Sequence, residues 1–164
     1  MHFLRTTKKL YMKDKRILYV SSEVVPYLPE TEISSMSFEA SRMVNSNKGQ
    51  IRIFMPRYGN INERRHQLHE VIRLSGMNLV INDMDVPLII KVASIPKERM
   101  QVYFIDNEDY FKRKATFEDE DGKLFDDNDE RAIFFAKGVI ETVKKLNWSP
   151  DIIHVHGWLA SFWP

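Results

Sequence analysis

Two histidines, His154 and His156, stand two apart in the run Asp-Ile-Ile-His-Val-His at residues 151–156. On an extended strand that spacing puts both imidazoles on one face. Such a pair can share a metal ion, but a third ligand is required. The remaining histidines, His2, His66 and His69, show no ligand-like spacing to them, and the chain has no cysteine. No metal is therefore expected. His154 is expected to be a hydrogen-bonded core histidine. His156 is expected at the strand's end, where an imidazole can donate a hydrogen bond to a hydroxyl or an oxyanion, or act as acid or base.

A second concentration of chemistry is acidic. Residues 117–131, FEDEDGKLFDDNDER, carry eight carboxylates. They lack the ordered ligand spacing of a calcium-binding EF-hand loop. The stretch reads as a solvated loop running into a capped helix, with Asp127 or Asn128 as the N-cap. Either side chain can still face a ligand.

A third stretch is notable for what it lacks. YLPETEISSM, residues 27–36, joins an apolar run to an amphipathic one. In nucleotide-binding α/β folds, glycines and a cation at such a junction cradle phosphate. Here the junction is Pro29, Glu30, Thr31 and Glu32, with neither glycine nor lysine.

These groups need elements to hold them. Ile17–Val20 is a short β-branched run and reads as a buried strand. Ile33, Met36, Ala40, Met43 and Val44 recur at helical spacing, and Asn47–Gly49 ends that helix. Ile51–Met55 reads as a second strand, which completes a βαβ unit and implies a parallel sheet. Residues 68–105 read as consecutive strands in hairpins. A helix follows from Asp127, with acids in its first turn and Lys144 and Lys145 in its last. Phe135, Val139, Val143 and Leu146 line one face of it. Ser149-Pro150 breaks it, and DIIHVH reads as another buried strand. The aromatics Phe134, Phe135, Trp148, Trp158 and Trp163 read as core. In open α/β sheets ligands bind beyond the carboxyl ends of the strands. The polar residues there are Ser22 and Glu23, Arg57 and Tyr58, Asp106 and Asn107, and His156.

The 164 residues amount to about one domain. No stretch is apolar enough to cross a membrane, and the start lacks a signal-type apolar core. Together with the absence of cysteine, this points to the cytoplasm. Charge is uneven: residues 1–16 hold six Lys/Arg and one Asp, against 18 basic and 22 acidic residues in the remainder. Residues 1–15 read as a basic, flexible leader, not a nucleic-acid contact, ahead of a domain at 16–164.

Five stretches, ILYVSSEVVPY, MPRYGNI, YFIDNEDYFKR, DEDGKLFDDNDERAIFF and W-x-PDIIHVHGW, occur in an order that resembles the N-terminal part of the glycogen and starch synthase catalytic domain. The resemblance covers residues 16–164. It implies the Rossmann-like N-terminal half of a GT-B glycosyltransferase, an α/β parallel sheet with a β-hairpin insertion, incomplete at the C-terminus with an exposed sheet edge open to association. It implies retaining transfer of glucose from ADP-glucose to an α-1,4-glucan without metal or other cofactor. His156 matches the cleft histidine of the family's H-x-H-D-W motif, Asp127 and Asn128 match its cleft-lining D-N pair, and Glu23 matches its S-E-x-x-P glutamate. Two departures stand out. The family's K-T-G-G donor loop is Pro29, Glu30, Thr31 and Glu32 here, and the motif's aspartate is Gly157. A carboxylate ~5 Å from one phosphate charge costs roughly 3 kcal/mol at an effective dielectric of ~20, over a hundredfold in affinity. The resemblance also implies a second domain, absent from these residues, that supplies most nucleotide contacts, so the chain alone is expected to be inactive. The alternative is a non-catalytic relative that binds glucan or a partner, its donor loop disabled.

Overall fold

The structure, a computed structural model, describes residues 12–159 and Trp163. Residues 1–11 of the expected leader lie outside the described residues. Within the leader's last part, the Asp14 amide donates to the Lys48 carbonyl and the Lys15 carbonyl accepts from Gln50.

The chain opens with β1 (Arg16–Ser21), α1 (Glu32–Ser46) and β2 (Gln50–Pro56). β1 and β2 run parallel with Ile17 opposite Ile51 and Tyr19 opposite Ile53. This is the βαβ unit expected from the sequence. An antiparallel wing follows, made of β3 (His69–Glu70), β4 (Met77–Ile81), β5 (Met84–Ile95) and β6 (Met100–Asp106). β5 is long enough to pair with β4 near its start and with β6 along the rest. β6 then lies parallel to β2, so the hairpins extend the sheet. After a one-turn helix α2 (Glu108–Phe111) and the acidic loop come α3 (Asn128–Lys145) and β7 (Ile152–His156). The sheet order is β3-β5-β6-β2-β1-β7. None of the helices is long and apolar enough to cross a membrane, among the described residues.

The central strands are buried because both faces are covered. Ile53, Phe54, Met55, Phe104 and Ile105 have no accessible surface. α3 buries Phe134, Phe135 and Val139, and Trp148 behind it is 8% exposed.

Two sequence expectations change. α1 does not seat Met36 and Met43, which are 48% and 63% exposed. Its buried face is Ser34, Ser37, Ser41 and Val44. The period was legible but the phase was not: small hydroxylated residues let the helix approach the sheet, and Ser37 Oγ and Ser21 Oγ share a hydrogen bond of 2.7 Å. β7 is not a buried strand. It pairs only with β1 among the described residues, and Ile152 and Ile153 are 41% and 50% exposed. Edge and interior strands share the same β-branched composition, so only the pairing separates them.

Candidate functional site

The carboxyl ends of the parallel strands form one rim. At β1, Ser21 Oγ donates to the Glu23 carbonyl at 2.7 Å, which turns the chain so that Glu23 leaves the sheet half-exposed. The Ser22 amide donates to the His156 carbonyl at 3.1 Å, joining the ends of β1 and β7. Gly157 follows with φ +99, and a Cβ there would stand 1.9 Å from Ser22 Oγ. Glycine is therefore required at this crossing as it stands.

α1 begins at the same rim. Thr31 is its N-cap: the hydroxyl accepts the Ser34 amide at 3.1 Å, and Ser34 Oγ accepts the Thr31 amide at 2.7 Å. The Thr31 hydroxyl donates in turn to Glu23 Oε2 at 2.9 Å. Glu30 Oε1 accepts from Ser35 Oγ at 3.2 Å, and Glu32 stands in the first turn. Pro29, Glu30, Thr31 and Glu32 thus form a helix cap in which carboxylates occupy the positive end of the dipole.

On the other side, Asp127 holds the N-cap position of α3 but makes no side-chain cap bond. Arg113 takes its carboxylate instead, with Nη1 to Oδ1 at 2.6 Å and Nη2 to Oδ2 at 2.5 Å. Those hydrogen bonds hold the Asp127 carboxyl below its usual range, against the opposing effect of partial burial. Asn128 does not cap either. Its Nδ2 donates to the Phe117 carbonyl at 2.8 Å, and its Oδ1 accepts from Arg131 Nη1 at 2.8 Å.

Arg131 is the residue that the sequence reading missed. It is fully buried, with no carboxylate within ion-pair distance among the described residues. Nε donates to the Tyr110 carbonyl and Nη1 to the Thr116 carbonyl, each at 2.8 Å. The guanidinium lies over Phe111, Phe125 and Trp158 at 5.1, 5.2 and 5.6 Å. Burial pushes it down to about 10. The only hint in the sequence was its place three residues after Asn128, one turn along the same helix face.

The rim is closed by aromatics. Trp158 Nε1 donates to Tyr58 Oη at 3.1 Å, tying the end of β7 to the end of β2. Tyr58 has no accessible surface, and burial raises its phenol well above the usual value. Trp158, partly buried and packed against the core as expected, is also a strut between rim segments. Gly59 allows the same connection on the other side: its amide donates to the Arg113 carbonyl, and a Cβ would meet the Lys112 carbonyl oxygen at 2.0 Å.

Three other strand-end candidates are structural. Arg57 and Lys91 both pair with Asp106, at 2.9 and 3.1 Å, and Asp106 is 2% exposed. Asn107 caps α2 through the Asp109 and Tyr110 amides and donates to the Pro87 carbonyl. His154 is not a core histidine. It lies exposed on β7, stacked on Tyr19 with centroids 4.6 Å apart. Desolvation there, and then the neighbouring His156, lower its pKa. Among the described residues no three histidine or carboxylate groups gather as a metal site would need.

His156 itself is half-buried, and its Nδ1 is a buried polar atom with no hydrogen-bond partner among the described residues. Glu23, His156, Trp158, Arg131 and Asn128 are joined by the contacts above into one continuous wall. Such a wall offers a carboxylate, an imidazole and an amide to a hydroxylated ligand, on elements whose ends are tied together.

Comparison with known proteins places this wall in context. The sequence pattern of the starch synthase catalytic domain matches residues 16–164. The glycogen synthase of Chlorobium limicola is 39% identical over 150 residues, which are 91% of this chain and 31% of that protein. That of Chlorobaculum tepidum is 40% identical over 146 residues, 88% of this chain and 30% of that protein. Among solved structures, the catalytic domain of starch synthase IV from Arabidopsis thaliana, bound to ADP and acarbose, superposes with a TM-score of 0.76. It is 17% identical, over 92% of this chain and 29% of that one. The chain thus spans about a third of the length of the relatives it matches.

Proposed function

The chain belongs to the starch synthase catalytic domain family, and on that premise we propose that it forms one wall of the cleft of a cytoplasmic, retaining glucosyltransferase. The reaction would move glucose from ADP-glucose to the end of an α-1,4-glucan. The observation that carries this reading is the half-buried His156 at the end of β7, on the same rim of strand and helix ends as the half-buried Glu23 and Asn128. An imidazole in that state is equipped to bind a sugar hydroxyl near the reacting carbon. Asp127, whose carboxyl Arg113 holds below its usual range, would orient glucose hydroxyls through the lone pairs that Arg113 leaves free. Arg131 would act as a positioning residue by fixing Asn128 and Trp158. Charge developing on the departing diphosphate needs cations, and the family's second domain would supply them. On its own, this chain would then hold glucan but not complete the transfer. The exposed Ile152 and Ile153 on the free side of β7 give it an edge for association.

A second reading is favoured by one feature. Where the family's donor loop has a lysine and two glycines, this chain has the Thr31 cap with Glu30 and Glu32 beside it. A non-catalytic relative that binds glucan or a partner synthase would need no phosphate cradle there. Calorimetric titration with ADP-glucose and, separately, with a maltooligosaccharide decides between them. Glucan binding without ADP-glucose binding supports the non-catalytic relative. ADP-glucose binding at millimolar or tighter restores the donor function of this wall. Neither ligand binding would remove both readings for the isolated chain.

A further inference from the structure

A broad concavity lies away from the rim. It lies at the opposite end of the sheet, where β2 and β6 begin and β5 ends. It encloses about 850 Å³, and a neighbouring hollow of about 400 Å³ shares Arg52, Gln101 and Tyr103 with it. Small-molecule sites fall in this size range.

Charge makes this end unusual. Among the described residues, the two hollows are lined by Arg52, Arg73, Lys97, Arg99 and Lys145, and by no carboxylate. The chain has 24 basic and 23 acidic residues, so an even scatter of charge would place both signs there. None of the five forms an ion pair among the described residues. The undescribed residues, 1–11, 160–162 and 164, include no Asp or Glu. Glu98 stands between Lys97 and Arg99, but it is not part of the lining.

The turn that carries two of these cations is held in place at a cost. Lys97 and Arg99 have φ of 69° and 53°, a region where Gly or Asn is cheaper than a long side chain. Asn45 Nδ2 donates to the Glu98 carbonyl at 2.7 Å and pins the turn to the end of α1. Arg52 is oriented by the rings of Trp148 and Tyr103, at 5.1 and 5.7 Å, and by its bond to the Tyr103 hydroxyl. Gln50 Oε1 faces the Trp148 indole N–H at 3.5 Å, so its amide NH₂ is the end left for a ligand. Preset cations and amide donors without a counter-charge suit an anion with several oxygens.

We propose that this end of the sheet binds a small, multiply charged anion of the phosphate class, at a site separate from the glucan rim. Helix-end electrostatics is the plainer account, since Lys145 sits in the last turn of α3. It does not cover Arg52, Arg73, Lys97 and Arg99, none of which is on a helix of more than one turn.

The test is titration of the full chain with pyrophosphate and with tripolyphosphate at low and at physiological salt. Lys97→Asn/Arg99→Asn removes both turn cations and puts Asn where φ is positive, so the fold is preserved. The expected result is saturable binding, tighter for tripolyphosphate, that weakens at least tenfold in the double variant while Tm holds or rises. Lys123→Asn, in the acidic loop, should leave binding unchanged. Four results would overturn the proposal. One is no binding of either anion. Another is undiminished binding in the double variant, including binding that disappears when residues 1–11 are removed. A third is equal weakening by Lys123→Asn. The last is weakened binding together with a lower Tm in the double variant, which would make the loss one of folding and not of anion contacts.

Discussion

Arg113 grips both carboxylate oxygens of Asp127, at 2.6 and 2.5 Å, across the acidic loop that separates them in sequence. The pair closes a loop of carboxylates onto the start of α3, and both side chains are about 30% exposed. Asp127→Asn should destabilise the fold by about 1 kcal/mol, the range of a charge-assisted pair that water partly screens. The sign with pH follows from the lowered carboxyl. Its contribution is complete above the ordinary carboxylate range and is lost as pH falls through the depressed value. Urea midpoints of the two proteins measured from neutral to acid pH should therefore converge as the carboxyl protonates.

Arg131→Ala should cost more. It leaves the carbonyls of Tyr110 and Thr116 and the Asn128 side chain without a donor, and it empties a cage of three rings. About 2–4 kcal/mol is expected from unpaired buried acceptors and lost packing. The emission of Trp158 should shift as the cation leaves its face. A change in stability of less than 0.5 kcal/mol, on the scale of an ordinary surface substitution, would rule out Arg131 as the anchor of the wall.

Gly157→Asp would restore the residue that the family's motif carries, yet it should destabilise this chain. The new Cβ falls 1.9 Å from Ser22 Oγ on a backbone with φ +99. A cost of about 1–3 kcal/mol is expected from the strained backbone alone. Gly157→Asp with Ser22→Gly should recover only the steric part, and thermal melts of the two variants would separate the contributions.

Thr31→Ala removes the capping hydroxyl and the donor to Glu23. About 1 kcal/mol of stability should be lost. Glu30→Gln/Glu32→Gln should lose less, about 0.3–1 kcal/mol for each charge at the helix end. If this cap lies where the proposed donor site would hold phosphate, the double variant should also strengthen ADP-glucose binding, because two negative charges are removed. Calorimetry on the double variant that shows no gain in ADP-glucose affinity would mean that Glu30 and Glu32 are not what weakens the donor side.

Ile153→Lys places a charge on the exposed strand β7, a common guard for a free sheet edge. Sedimentation velocity over a range of concentrations should show self-association of the parent chain that falls in the variant. A parent that stays monomeric at every concentration would remove the edge as an association surface.

Much of the fold was legible before any coordinates. β1, α1 and β2 follow from a β-branched run, a 3.6-residue period and an Asn47–Gly49 stop, because local periodicity reports which element forms. The ordered stretches placed His156, Glu23, Asp127 and Asn128 at strand and helix ends, and there they stand. What each side chain does there was another matter. Asp127 had the composition of a cap, and only the approach of Arg113 from another loop showed that its carboxylate is occupied elsewhere. Asp106 looked like a rim residue until Arg57 and Lys91 closed over it. α1 exposes the methionines its pattern would have buried, since the sheet accepts a serine face at Ser34, Ser37 and Ser41.

Periodicity, motif order, charge and the lack of glycine at Pro29–Glu32 are properties of neighbours along the chain, so the sequence alone determined the fold class and the family. Whether β7 is edge or interior, where Arg131 finds its acceptors, and why Gly157 must lack a side chain depend on residues tens of positions apart. Those facts come from packing and desolvation in three dimensions, and only the tertiary structure decided them.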